Sequence, residues 1–327
     1  MQARIVVPED FPRYFAGSPA ETRLRTLGEV TLYGSAADGA AELIRRMDGA
    51  DIAVAVYTKT KWTDAVLAAC PRLRLISRCG TGLDGIDLDS CRRRGVAVAH
   101  LIANDADEVA EHAIALTLNA VRRIGEVDRA IRAGRWDTGP IRGARGLTMG
   151  VVGLGAIGSR TAALARAIGM NVLVWSHGPD AGRAARVGAV WAELDDLLAQ
   201  ADVVSLHLRL APETAGFIDA RRFGLMRPDA VLVNTARAGL VDRAALLDAL
   251  QRKRIAAAAL DVFHTEPLPA DDALLALPNV VLTPHDGGNV AAVVARGLMR
   301  AVENVANFLN GAPTDLAVAP GPDARAG

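Results

Sequence analysis

The chain has 327 residues, 51% of them apolar, with 37 basic residues balanced against 37 acidic ones. That length exceeds what one small core organises and suits two α/β domains, and the zero net charge removes the electrostatic footing for a nucleic acid or an anionic membrane as partner. Cys70, Cys79 and Cys91 lack C-x-x-C spacing, so neither a disulfide framework nor a zinc site is expected and a reducing cytoplasm is the natural setting; the apolar run at 5–7 is too short for a signal peptide, and no stretch is long enough to span a bilayer.

From the start of the chain, short apolar runs alternate with helical ones. Strands are expected at 5–7, 52–56, 73–77 and 96–99, with helices at 36–47, 63–69 and 88–94, a pattern that predicts a parallel sheet. Residues 105–121 read as one long helix rich in alanine and leucine. Gly134, Gly139-Pro140, Gly143 and Gly146 then predict an irregular connection.

Residues 147–158 run from an apolar strand into Gly153, Gly155 and Gly158, spaced G-x-G-x-x-G, and an alanine-rich helix follows to residue 168. Gly169-Met170 stops that helix and 171–175 supplies the next strand, completing a βαβ unit. Gly153 permits the tight turn, Gly155 lets backbone approach a pyrophosphate, and Gly158 lets helix pack on strand. The free N–H groups at the helix start, at Ala156 and Ile157, then face anionic oxygens. A dinucleotide site is the expectation.

After residue 175 the alternation continues, with helices at 192–199, 220–225 and 243–251 and strands at 203–206, 230–234, 255–262 and 280–283. Strands apolar throughout belong to a sheet covered on both faces, so the second domain is a doubly wound sheet. Residues 289–309 read as a helix. Beyond Pro313 the tail has no periodicity, and 320–327 are expected to be loosely held.

At the end of the second strand of such a unit, an acidic residue ordinarily receives the adenosine ribose 2′-hydroxyl. Ser176 stands there, followed by His177. The repulsion of a 2′-phosphate is thus absent, while Arg183, Arg186, His177 or Arg209 could attract one. Ser176 bonding an NAD ribose is the other reading, and NAD and NADP both stay open.

Three segments carry charged or titratable side chains just after apolar strands, where ligands sit in open α/β sheets. They are Asn234-Thr235-Ala236-Arg237-Ala238-Gly239, Asp261-Val262-Phe263-His264-Thr265-Glu266-Pro267 and Thr283-Pro284-His285-Asp286-Gly287-Gly288. Reducing a 2-oxo acid builds negative charge on its carbonyl oxygen, so a group must fix the carboxylate, steady that oxygen and deliver a proton. Arg237 offers a fork of donors, His285 a proton carrier, and Glu266 a carboxylate to support the imidazolium. A metal site from His264, Glu266, His285 and Asp286 is not expected, because hydride transfer needs no metal and the spacing matches no ligand pattern.

These segments together resemble the D-isomer-specific 2-hydroxyacid dehydrogenase family. The likeness extends to the glycine pattern at 153–158, to Cys79-Gly80-Thr81-Gly82-Leu83-Asp84-Gly85-Ile86-Asp87 and to Val109-Ala110-Glu111-His112, covering nearly the whole sequence. The resemblance implies Arg237, Glu266 and His285 as catalytic residues. It implies a cofactor site that takes in the glycine turn, Ser176, His177, His207, Arg209, Thr235, Ala236, Arg237, Asp261, His285 and Gly287. Gly80, Thr81 and Gly82 would present N–H groups to the substrate carboxylate as an anion nest, and the loop Tyr57-Thr58-Lys59-Thr60, through Thr58 and Lys59, would bear on substrate choice. Ala238, Arg209 and Asp286 depart from the family pattern.

The implied architecture is two doubly wound parallel-sheet domains: a flavodoxin-like substrate domain, 1–100 plus 290–327, and a Rossmann NAD(P) domain, 101–289, with a cleft between them and crossings near 100–104 and 285–290. A homodimer through 105–121 and 135–145 is also implied. The expected activity is hydride exchange between NAD(P)H and a 2-oxo acid to give a D-2-hydroxy acid, as in glyoxylate or hydroxypyruvate reduction. Alternatives are a cofactor-sensing transcriptional corepressor of the same fold, or a phosphite dehydrogenase; Glu266 argues against a formate enzyme, which carries glutamine there.

Overall fold

The computed structural model describes residues 2–56, 58–136 and 139–321. Tyr57, Asp137, Thr138 and most of the tail expected to be loosely held, 322–327, lie outside the described residues. The chain divides into two compact units, Met1–Asp105 with Val290–Gly327, and Ala106–Asn289. Each is a mostly parallel sheet covered by helices, the α/β class that the alternation predicts. Among the described residues no helix is long and apolar enough to cross a membrane.

In the first unit the strands β1 (Arg4–Val7), β2 (Glu29–Leu32), β3 (Ile52–Ala55), β4 (Leu75–Arg78) and β5 (Ala97–Ala99) are joined by a late strand, Leu316–Val318. The sheet order is Leu316–Val318, β5, β4, β3, β1, β2. Helices α1 (Pro19–Arg25), α2 (Gly39–Arg46), α3 (Asp64–Ala68) and α4 (Leu88–Arg94) connect the strands. Local chemistry sets their starts: side chains of Ser18, Thr63 and Asp87 accept backbone N–H groups at the beginnings of α1, α3 and α4, satisfying donors that have no partner inside the helix. The helix Ala291–Leu309 lays Leu298, Val302, Val305 and Phe308 against Ile5, Ile52 and Leu75. Ser77 Oγ donates to its Ala301 carbonyl at 2.8 Å.

Two features of this unit differ from the sequence reading. No element was expected over 19–32, where α1 is only seven residues long and β2 is a half-exposed edge strand, too short to show a period. The stretch beyond Pro313, read as aperiodic, contributes Leu316–Val318 antiparallel to β5. Three residues carry no pattern; the open edge of β5 supplies the pairing.

The second unit begins with α5 (Ala106–Arg122) and α6 (Ile124–Arg132) and continues through β6 (Thr148–Val152), α7 (Ala156–Ala167), β7 (Asn171–Trp175), α8 (Ala181–Arg186), β8 (Val190–Trp191), α9 (Leu194–Gln200), β9 (Val203–Leu206), α10 (Ala220–Phe223), β10 (Val231–Asn234), α11 (Arg243–Gln251), β11 (Ala257–Leu260) and β12 (Val280–Leu282). All seven strands are parallel, in the order β12, β11, β10, β9, β6, β7, β8. On one face Ala113, Ile114, Leu116 and Ala120 of α5 pack with Met149, Val151, Ala162 and Val233; on the other, Leu197, Phe223, Leu246 and Leu250 pack with Val204 and Leu232. The helix α6 stands between the expected long helix and the expected irregular connection, where the sequence names no element: Arg123, left-handed at φ +53°, ends α5 and turns the backbone into a second helix.

The turn after β6 leaves its glycines unequal. A Cβ on Gly158 would stand 1.9 Å from the Gly153 carbonyl oxygen, whereas one on Gly155 would meet nothing within 4 Å. Gly158→Ala is therefore expected to destabilise the protein by about 1–3 kcal/mol through overpacking, and Gly155→Ala by no more than about 1 kcal/mol. Chemical denaturation of both variants measures the difference.

Candidate active site

The glycine turn lies at the carboxyl edge of the second sheet. Val152 pairs with Trp175 on one side and Leu206 on the other, so the ends of β7 and β9 flank it. Gly153 sits at φ +104°, and a Cβ there would come within 2.6 Å of the His207 carbonyl oxygen. Gly155 is the N-cap of α7 and no side chain caps the helix. Open space over Gly155 and uncapped N–H groups at the helix start make a cradle that fits an anionic group.

Of the residues expected around a dinucleotide, Ser176, His177, His207 and Arg209 follow the strands β7 and β9 that flank this turn. His207 accepts no charge readily: burial pushes its pKa down to about 4, and its Nε2 contacts Ser205 Oγ at 2.9 Å. Ser176 Oγ donates to the Gly178 carbonyl at 2.9 Å. His177 is exposed, edge-on to the Trp175 ring at 4.9 Å. Asp180 is occupied as the N-cap of α8, accepting the Arg183 N–H, and Arg209 is exposed. Thr235 is buried just beyond β10, and its Oγ1 has no hydrogen-bond partner among the described residues, leaving a polar atom for a bound group to satisfy.

Arg237, Glu266 and His285 follow β10, β11 and β12, which are adjacent in the sheet. Asn234 brackets the first loop: its amide donates to the Arg237 carbonyl at 2.9 Å and its Oδ1 accepts the Ala236 N–H at 3.0 Å. The half-buried Arg237 donates from Nη1 to the Ala236 carbonyl at 2.7 Å. Glu266 Oε1 accepts the Phe263 N–H at 2.9 Å, and Oε2 lies 2.8 Å from His285 Nδ1. Burial alone would raise the Glu266 pKa; the bonds from His285 and Phe263 and the nearby positive charge of Arg237 outweigh it and hold the carboxyl below its usual range. An ionised carboxylate only accepts, so His285 Nδ1 donates. Its Nε2 has no partner among the described residues. His264 is exposed and lines a cavity of about 390 Å³ with Asn234, Ala238, Leu246, Leu260 and Leu274.

Behind His285 is a buried polar cluster. Asp261 Oδ1 accepts Thr283 Oγ1 at 2.6 Å and the Asp286 N–H at 2.9 Å, and Oδ2 accepts the Gly287 N–H at 3.0 Å. His112 Nε2 stands 3.0 Å from Thr283 Oγ1 and 3.3 Å from Asp261 Oδ1. Gly287 is tightly enclosed, since a Cβ there would be 3.1 Å from Asp261 Oδ2 and 3.5 Å from the His112 ring. The sequence reading missed His112 as a site residue. It was visible only as part of a helix-opening motif, because nothing local ties it to Thr283, 171 residues later.

In the first unit, none of Gly80, Thr81 and Gly82 has a left-handed φ. The carbonyls of this turn are engaged, Gly80 accepting the Leu101 N–H at 3.1 Å and Thr81 lying 3.1 Å from His100 Nδ1, and Thr81 Oγ1 donates to Asp105 at 3.2 Å. The Arg78 guanidinium rests against Gly80, 3.0 Å from where a Cβ would be, an arginine the sequence reading passes over although it stands immediately before the motif. Burial pushes the Cys79 thiol up to about 12, which keeps it from acting as a nucleophile. Thr58 packs on Gly85 and Lys59 is exposed.

A model of the D-isomer specific 2-hydroxyacid dehydrogenase, NAD binding domain, matches residues 114–287. The chain belongs to the D-isomer specific 2-hydroxyacid dehydrogenase family. It is 38% identical over 279 residues to D-3-phosphoglycerate dehydrogenase of Archaeoglobus fulgidus, covering 85% of this chain and 53% of that protein. It is 38% identical over 255 residues to glyoxylate reductase of Aeropyrum pernix, covering 75% and 76% respectively. The chain spans about half the length of the phosphoglycerate dehydrogenases it matches. The structure superposes on D-lactate dehydrogenase from Aquifex aeolicus, complexed with NAD and lactic acid, with a TM-score of 0.85 at 29% identity, over 97% of this chain and all of that one.

His207 makes a pH prediction. Its folded pKa of about 4 lies below the ordinary value near 6.5, so the unfolded state binds a proton that the folded state refuses between those values. Stability should fall as pH drops from about 6.5 toward 4, by on the order of 2 kcal/mol from this group. Denaturant unfolding of the wild type and His207→Asn across that range isolates it, the variant losing this part of the slope.

Proposed function

We propose that the chain is a nicotinamide-dependent oxidoreductase that interconverts a 2-oxo acid and its D-2-hydroxy acid, working as a reductase. One observation carries the reading: His285 Nδ1 is held 2.8 Å from the carboxylate of Glu266, whose loop after β11 lies between the loops that bear His285 and Arg237. In this reading the unit Ala106–Asn289 binds cofactor and the other unit supplies substrate contacts, with Gly80, Thr81, Gly82 and Thr58 as candidates.

Gly153, Gly155, Ala156, Ile157 and Gly158 would hold the pyrophosphate; Ser176, His177, His207 and Arg209 the adenosine end; Thr235, Ala236, Asp261 and Gly287 the nicotinamide end. With no carboxylate at Ser176, NAD and NADP are both admitted, and competing them at equal concentration decides between them. When bound, the reduced cofactor supplies the hydride. The Arg237 fork holds the substrate carboxylate and steadies the oxygen on which charge develops. Glu266 occupies Nδ1 of His285, which fixes the ring and leaves Nε2 as the nitrogen that delivers the proton; in reverse, the neutral Nε2 takes the hydroxyl proton. Three free thiols, Cys70, Cys79 and Cys91, agree with a reducing compartment such as the cytoplasm.

Steady-state assays with glyoxylate, hydroxypyruvate, pyruvate, phenylpyruvate and phosphohydroxypyruvate, each with NADH and NADPH, test the reading. Turnover of at least one acid is expected, and saturable cofactor binding without any turnover would favour a sensor role instead. His285→Ala should lower kcat by about 10²–10⁴-fold while cofactor affinity stays within about twofold.

We further propose a homodimer. On α6 and the segment after it, Ile124, Ile131 and Ile141 are exposed and Trp136 is 80% exposed, a set of large apolar side chains that a second copy would cover. Light scattering should give twice the single-copy mass of 34.3 kDa, falling toward the single mass in Trp136→Ser; a wild-type monomer would refute it.

A further inference from the structure

The turn that carries His285 is held in a costly conformation. His285 is left-handed at φ +60°, a region that a side chain bearing a Cβ avoids, so its surroundings must impose it. Its own N–H reaches only the Thr283 carbonyl, at 3.0 Å. The remaining restraints converge on Asp261, which takes Thr283 Oγ1 and the N–H groups of Asp286 and Gly287.

We propose that His112 is a positioning residue for His285, acting through Thr283 and Asp261 to hold the 283–287 turn in the form that carries His285 Nδ1 to Glu266. The inference rests on the reading of His285 as the proton carrier. Proton bookkeeping supports it. Thr283 spends its hydroxyl hydrogen on the Asp261 carboxylate, so its oxygen can only accept from His112, and His112 Nε2 must carry a hydrogen shared between Thr283 Oγ1 and Asp261 Oδ1.

The charges agree. The bond to Asp261 raises the His112 pKa against the opposing effect of burial, with Asp261 and Asp286 adding attraction. Asp261 is held low despite desolvation by His112, Thr283 and the two backbone N–H groups. His112 is thus the side chain that offsets a buried negative charge at the base of the turn. Without it, Thr283 Oγ1 loses its donor, the carboxylate is free to reorient, and the turn loses the geometry that aims the imidazole.

The test is steady-state kinetics of the full-length protein with its best 2-oxo acid, comparing His112→Ala, His112→Gln, Thr283→Val and His285→Ala. His112→Ala should lower kcat about tenfold, as a small misplacement of a reacting group does, with KM for the acid and cofactor affinity within about twofold. His112→Gln, whose amide N–H can replace the ring N–H, should return to within about threefold of wild type. The His285 Nδ1 proton, assigned by its absence in His285→Ala, should give a low-field NMR signal in the wild type and lose it in His112→Ala. Wild-type kcat with that signal intact in His112→Ala, beside an inactive His285→Ala, overturns the inference and leaves the function standing. An active His285→Ala overturns both. If His112→Ala does not fold, Thr283→Val decides: a several-fold lower kcat supports the proposal, and unchanged kcat refutes it.

Discussion

A buried carboxylate must find donors or lose its charge, and Asp261 organises the second unit's functional edge by that requirement. It is 1% exposed, and it stays ionised because one hydroxyl, two backbone N–H groups and an imidazole converge on it. Removing a carboxylate from water costs several kcal/mol unless such partners are supplied. The strand end at β11, the loop after β12 and the helix α5 therefore cannot drift apart without leaving a charge unpaired. The site inherits its rigidity from that constraint.

The parallel sheet turns this local rigidity into a site. Because β10, β11 and β12 are neighbours running in one direction, the loops that follow them leave the same edge, and residues far apart in the sequence meet there. Glu266 and His285 come together at 2.8 Å, with Arg237 near enough for its charge to be felt at Glu266. The same edge, two strands further along, carries the glycine turn at the uncapped start of α7. An anion-accepting helix end and a proton-handling pair on one edge match the needs of reactions in which charge develops on a small acid.

Where the sequence misleads, the cause is local weakness of signal. The seven residues of α1, the edge strand β2 and the three-residue strand at Leu316–Val318 are too short to carry a period, and they exist because neighbouring strands and helices offer partners. The helix α6 goes unnamed by the sequence because its Ile124 and Ile131 face solvent, so the usual correlation between apolar spacing and burial gives no guide.

What the sequence determines alone is what depends on neighbours along the backbone: the α/β class, because apolar runs of strand length alternate with helical ones, and the turn after β6, because only glycine fits at Gly153 and Gly158 whatever surrounds them. The ordered arginine, glutamate and histidine are legible for the same reason, each standing in the loop that follows a strand. Only the tertiary structure decides that His112 on α5 bonds Thr283, 171 residues away, and that Asp261 gathers the turn beneath His285. Those contacts form across the sheet by burial and charge pairing, which act through space and leave no spacing for a sequence to record.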